Sequence, residues 1–162
     1  MSVIRDIGAT YAGPHKVVAR HLAVGPREDR ALVILIAACA LFFVSSWPIN
    51  ARIAHLEGKE LNPLLGGSLM AWIFMAPLAF YVLSFVVKIV LSLFGWKGGA
   101  YGSRIALFWA LLAASPVVLL NGLVLGFIGP GIQAQIVGLI WFVLFMWFWI
   151  SGLFQANRSA AA

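Results

Sequence analysis

Three histidines (His15, His21, His55), one cysteine (Cys39) and five acids (Asp6, Glu28, Asp29, Glu57, Glu60) are the side chains with which this chain could move protons, attack a substrate or hold a metal. Their spacing does not assemble into any of these. All five acids lie within the first 60 residues, so no carboxylate pair can be drawn from the rest of the chain. His55 and Glu57 are two ligands on one polar stretch, short of the three or four that a zinc site needs. No Ser/His/Asp set can be built, and Gly95-Trp96-Lys97 lacks the spacing of a phosphate-cradling GxxxxGK loop. A single cysteine excludes an intrachain disulfide and any cysteine-built metal centre. The chain is therefore read as a non-enzyme, with no cofactor and no metal.

The polar residues that remain of interest lie inside apolar segments: Lys88, Ser115-Pro116 and Asn121. Hydrophobic residues make up 63% of the 162 and charged residues 10%, a composition outside that of ordinary soluble domains. The expected fold class is all-α, a polytopic helical membrane protein with four transmembrane helices and an N-terminal interfacial amphipathic helix. The net charge of +6 is then explained by cations flanking membrane spans, not by nucleic-acid binding. The bilayer is the expected partner, with a second membrane protein or another copy of the chain.

Residues 1–25 form a basic amphipathic segment. Val3, Ile4, Ile7 and Tyr11, then Val17, Val18 and Leu22, recur at helical spacing around a break at Gly13-Pro14, with Arg5, Lys16 and Arg20 beside them. This is the pattern of a helix in the headgroup layer. The bundle is placed at 26–155, with spans at about 31–47, 68–94, 105–128 and 134–154, and a tail at 156–162. Pro26, Glu28 and Asp29 start the first span, because proline suits the first helical turn and acids complement its positive end. Ile36-Ala37-Ala38-Cys39 loosely fits a lipoprotein cleavage box, but charged residues precede it and apolar residues continue to Val44. The first span is thus expected to be retained.

Between Asn50 and Pro63 the expectation is a solvated loop with a short turn at Ile53 and Leu56. In the second span, Pro77 predicts a kink that Ser84 helps to satisfy. Lys88 lies about 9 Å along the helix from Phe94, near enough to snorkel to the headgroups. The third span carries Ala106, Ala110 and Ala114 at four-residue spacing, then Gly122 and Gly126. Small residues at this spacing let backbones approach, so these positions are assigned to helix packing. Pro116 predicts a kink and Asn121 a hydrogen bond to a neighbouring helix. In the fourth span Trp141, Phe145 and Trp149 recur every four residues, while Trp147, Trp149 and Phe154 concentrate toward its end, where the aromatics are read as an interfacial belt.

Of the eleven Lys and Arg residues, nine fall on one side of this topology and two, Arg52 and Lys59, on the other. The positive-inside rule then places both termini in the cytoplasm. Arg5, Lys16, Arg20, Lys88, Lys97 and Arg104 are the cations assigned to the lipid or partner interface.

Gly99, Tyr101, Arg104, the alanine-rich start of the third span and Pro116 resemble the core signature of the Yip1 domain, a small multispanning membrane domain. Tyr11-Ala12-Gly13-Pro14 and the charged turn Pro26-Arg27-Glu28-Asp29-Arg30 resemble bacterial members of that group. The resemblance implies a non-enzymatic protein of the bacterial inner membrane that organises partners or lipids. Eukaryotic members have five spans and engage Rab-type GTPases. This chain has four spans and Thr10-Tyr11-Ala12-Gly13-Pro14 where they have Asp-Leu-Tyr-Gly-Pro, so GTPase partnership is not carried over. A scaffold or adaptor is the leading expectation. The alternatives are a small transporter or channel lined by Lys88 and Asn121, and an accessory subunit of a larger membrane complex.

Overall fold

At Gly25 the backbone takes the left-handed conformation (φ 87°) that glycine adopts without strain, and the chain then enters helix α3 (Glu28–Ser45) with both acids in its first turn. The computed structural model describes residues 3–161. Ahead of α3 lie α1 (Val3–Ala12) and α2 (Pro14–Ala23), and after it come α4 (Trp47–Glu57), α5 (Leu61–Leu69), a π-helical turn at Met70–Met75, α6 (Ala76–Leu93), α7 (Gly99–Phe127) and α8 (Ile132–Ala161). Four helical stretches, Glu28–Glu57, Leu61–Leu93, Gly99–Phe127 and Ile132–Ala161, are long and apolar enough to cross a membrane.

The stretch after Asn50, expected as a loop, is helical as far as Glu57. Pro48 stands in the first turn of α4, where no intrahelical partner is needed for the N–H it lacks. Helix α4 ends at Gly58 in the left-handed conformation, and Asn50 Nδ2 donates to Ser68 Oγ at 2.7 Å, tying α4 to α5 across the turn.

Pro77 acts through the residues before it. A proline ring clashes with the carbonyl four residues back, here that of Ile73. Widening of Met70–Met75 to π geometry, with the Ala76 N–H donating to Ala71 O five residues back, accommodates it. Ser84 plays no part in this: its hydroxyl donates to Tyr81 O, and its own carbonyl accepts a hydrogen bond from Ser103 Oγ at 2.8 Å, joining α6 to α7.

Helix α7 is the axis of the molecule. It packs most extensively on α8 and α3, and also touches α1, α2, α4 and α6. Every residue from Ile105 to Ser115 is buried, with no more than 3% of its surface exposed. Residues Gly99 to Arg104, just ahead of the third span expected at about 105–128, already belong to this helix. Pro116 leaves α7 continuous. The carbonyl that it cannot reach is that of Leu112, and the Ser115 hydroxyl donates to that oxygen at 2.7 Å.

Candidate functional site

Helices α1 and α2 fold back on each other at Gly13, whose extended backbone (φ −173°) lets Pro14 open α2. Asp6 and Arg20 pair across the two helices at 2.9 Å. The hairpin docks against α7 and α8. Thr10 Oγ1 donates to Asp6 O and accepts from Trp109 Nε1 at 3.0 Å, so a threonine on α1 and an indole on the central helix satisfy each other. Tyr11 donates to Ala113 O at 3.1 Å and meets Phe148 edge-on at 5.1 Å. Val17 and Val18 are 1% exposed. A Cβ at Gly152 would stand 3.1 Å from Ala106 Cβ and 3.5 Å from Val18 Cγ2, so this glycine is what lets α2, α7 and α8 meet.

His21 closes the seam, its ring 4.5 Å from that of Trp109 and its Nε2 without a partner among the described residues. Burial, helped by the nearby Arg30 and Arg20 and opposed by Asp6, lowers its pKa to about 4. Burial likewise pushes the Tyr11 phenol above its ordinary value.

The small residues assigned to packing fall on two faces. Ala106, Ala110 and Ala114 are buried, and Ala106 faces Gly152 of α8. A Cβ at Gly122 would overlap the Ser45 carbonyl, and one at Gly126 would overlap Pro48, so these glycines face α3 and α4. The small residues assigned to packing therefore serve different neighbours. Each four-residue step advances about 40° beyond a full turn, and five such steps carry the series from the α8 side to the α3–α4 side. Pro116 itself is exposed.

Arg5, Lys16, Arg20 and Lys97 are exposed, and Lys88 and Arg104 are half-buried. Arg104 donates to Glu28 Oε1 at 2.6 Å, linking the start of α7 to that of α3. The backbone N–H of Lys97 donates to Asn157 Oδ1 and Trp96 Nε1 to Leu153 O, which fixes the α6–α7 connection to α8. At the opposite end Arg52 donates to the carbonyls of Gly126 and Phe127, capping α7.

Asn121 does not make the expected hydrogen bond. Its Oδ1 is buried and without a partner among the described residues, and its Nδ2 would lie 3.7 Å from a Cβ at Gly138 of α8. It lines a cavity between α3, the π-helical turn, α7 and α8. Trp141 and Phe145 stack at 5.5 Å, Phe145 and Trp149 at 5.6 Å, and Phe42 bridges Trp141 to Trp72. Of the aromatics expected as a belt, Trp149 thus belongs to a column inside the bundle. Trp147 and Phe154 of the same helix remain exposed.

Sequence reading missed Thr10, Trp109 and His21 as partners, and Trp72 and Trp141 as cavity walls. The only available signal was a set of indole N–H groups in apolar segments, since each such donor needs an acceptor when buried. Among the described residues no group of three His, Cys, Asp or Glu side chains could hold a metal. No family model, curated protein or solved structure matches the chain.

Proposed function

We propose that this chain is a non-enzymatic, multi-pass protein of the bacterial inner membrane, of the Yip1 type, that organises membrane partners or lipids as a scaffold or adaptor. The observation that carries this reading is the sealed centre of the bundle. With every residue from Ile105 to Ser115 buried, the two polar residues that a transport path would use are kept apart. Lys88 lies one turn from Ser84, which bonds Ser103. Asn121 lies eighteen residues beyond Ser103, about 27 Å along α7. On this reading the working surfaces are the outward ones.

On this reading both termini are cytoplasmic. The links from Arg104 to Glu28 and from Lys97 to Asn157 gather the cations of three segments at one end of the bundle, as the positive-inside rule requires of the cytoplasmic face. The start of the N-terminal hairpin is the interfacial part, while its turn lies along the middle of α7, where Tyr11 meets Ala113. Its α2 spends Val17 and Val18 on the bundle, while Val3, Ile4 and Arg5 of α1 point outward, an apolar and cationic surface suited to anionic headgroups.

Two measurements test the proposal together. Affinity isolation in mild detergent at native expression, read by mass spectrometry, is expected to return a reproducible membrane partner or a homo-oligomer. Reconstituted vesicles are expected to show no solute flux above protein-free vesicles. Flux abolished by Asn121→Leu or Lys88→Leu, with no partner recovered, would replace the scaffold by the transporter.

A further inference from the structure

Between His15 of α2 and the C-terminal half of α8 lies a cleft of about 500 Å³, within the range of pockets that hold small ligands. Trp147, Ser151, Phe154 and Arg158 line it along one face of α8, since steps of three and four residues stay on one side of a helix. From Trp147 to Arg158 this face runs about 16 Å. The other wall is held in place by Val18 of α2, whose Cγ2 would stand 3.5 Å from a Cβ at Gly152. His15 lies one turn earlier on α2.

The lining changes character along α8. Trp147 and Ile150 form its inner end, and Ser151, Gln155 and Arg158 follow toward the end of the helix. The polar residues keep accessible surface: His15 and Arg158 are exposed, and Ser151 and Gln155 are half-buried. All four side chains can donate hydrogen bonds. Gln155 Nε2 spends one N–H on Ser159 Oγ and has a second. Arg158 makes no ion pair among the described residues, and no carboxylate lines the cleft. Trp147, Ile150 and Phe154 are 49%, 48% and 66% exposed, so the cleft opens sideways, where a membrane-spanning α8 faces lipid.

Donors with no acid among them favour an anion. An apolar inner end that opens to hydrocarbon favours an anion carried on an acyl chain. A zwitterionic head would bring an ammonium with no carboxylate to receive it. We propose that this cleft holds an anionic phospholipid. Its phosphate oxygens accept from Arg158, Gln155 and His15, and its upper chain lies on Trp147, Ile150 and Phe154. The inference deepens the lipid-organising part of the proposed function and rests on its membrane placement, without needing the scaffold role.

The test uses the full-length protein in detergent, read by native mass spectrometry, with three probes: phosphatidylglycerol, phosphatidylcholine with the same chains, and glycerol 3-phosphate as a phosphate without chains. Phosphatidylglycerol should bind saturably, one per chain, and about tenfold or more tighter than either of the others. Arg158→Gln, which removes a charged donor, should weaken it about tenfold or more. Arg27→Gln, which removes a cation outside the cleft, should change it by no more than about twofold. Ser151→Trp fills the cleft and keeps every charge, so it should abolish retention in a protein that thermal unfolding shows to be folded. Equal binding of the two lipids, glycerol 3-phosphate as tight as phosphatidylglycerol, equal losses in Arg158→Gln and Arg27→Gln, or unchanged retention in a folded Ser151→Trp protein would each overturn the proposal. Selective retention by a solitary chain would remove the scaffold and leave the lipid cleft, and a partner recovered without lipid selectivity would do the reverse.

Discussion

His21 is the residue whose environment is furthest from what its sequence position suggests. The neutral ring is the form the docked hairpin accommodates, with a pKa of about 4 against an ordinary value near 6.5. The undocked chain therefore binds more protons between these values. Hairpin docking should be at full strength above about pH 6.5, weaken as the pH falls toward 4, and change little from this source below that. Proteolysis between α2 and α3, followed across this range, checks the sign, and His21→Phe should flatten the dependence while keeping the contact with Trp109. Backbone contacts give a second prediction. Gly122→Ala places a methyl on the Ser45 carbonyl, so a loss of about 1–3 kcal/mol is expected, read as easier unfolding in denaturing detergent. Ser115→Ala strips Leu112 O of the hydroxyl that substitutes for the missing proline N–H, with a cost of about 1–3 kcal/mol. At this scale the sequence was partly legible. Gly122 and Gly126 announced close approach by their spacing, but which helix approached could not be read, because the neighbour that each face meets after the 40° drift per step depends on where the other helices stand.

Helices were the most legible elements, since a long apolar run between charged turns has few other solutions in lipid. What escaped was continuity. The first span was expected to stop at 47 and Pro77 to kink the second, yet Pro48 fits a first helical turn and Pro77 is absorbed by the π-helical turn before it. The hairpin α1–α2 was legible as two helical pieces with a break at Gly13-Pro14. Its docking was not, because a face made of Val17, Val18 and Tyr11 suits lipid and protein equally well. Tyr11 reaches Ala113, eight residues or about 12 Å beyond Ile105 along α7, so the hairpin lies against the flank of the bundle. Gly152→Leu, which fills the meeting point of Val18 and Ala106, should release it. Trypsin should then cut at Arg20 or Arg27 several-fold faster, with the four long helices still protected.

At the scale of the whole molecule, charge distribution and packing agree. The end that holds Glu28, Lys97, Arg104 and Asn157 carries most of the cations, and the end where Arg52 caps α7 carries few. Reporters fused after Phe154 and after Glu60 should report opposite sides of the membrane, with the Phe154 fusion cytoplasmic. A cytoplasmic Glu60 fusion would reverse the assignment. Composition could not tell Lys88 and Asn121 apart, because both look like isolated polar residues in apolar runs until the bundle sets them beside different neighbours. The most direct test of the scaffold reading is the mass of the particle extracted from native membranes in polymer-bounded discs at native expression. The prediction is a complex that contains the 17.6 kDa chain with a second protein in fixed ratio, or two or more copies of itself. A solitary 17.6 kDa chain in every disc would contradict it.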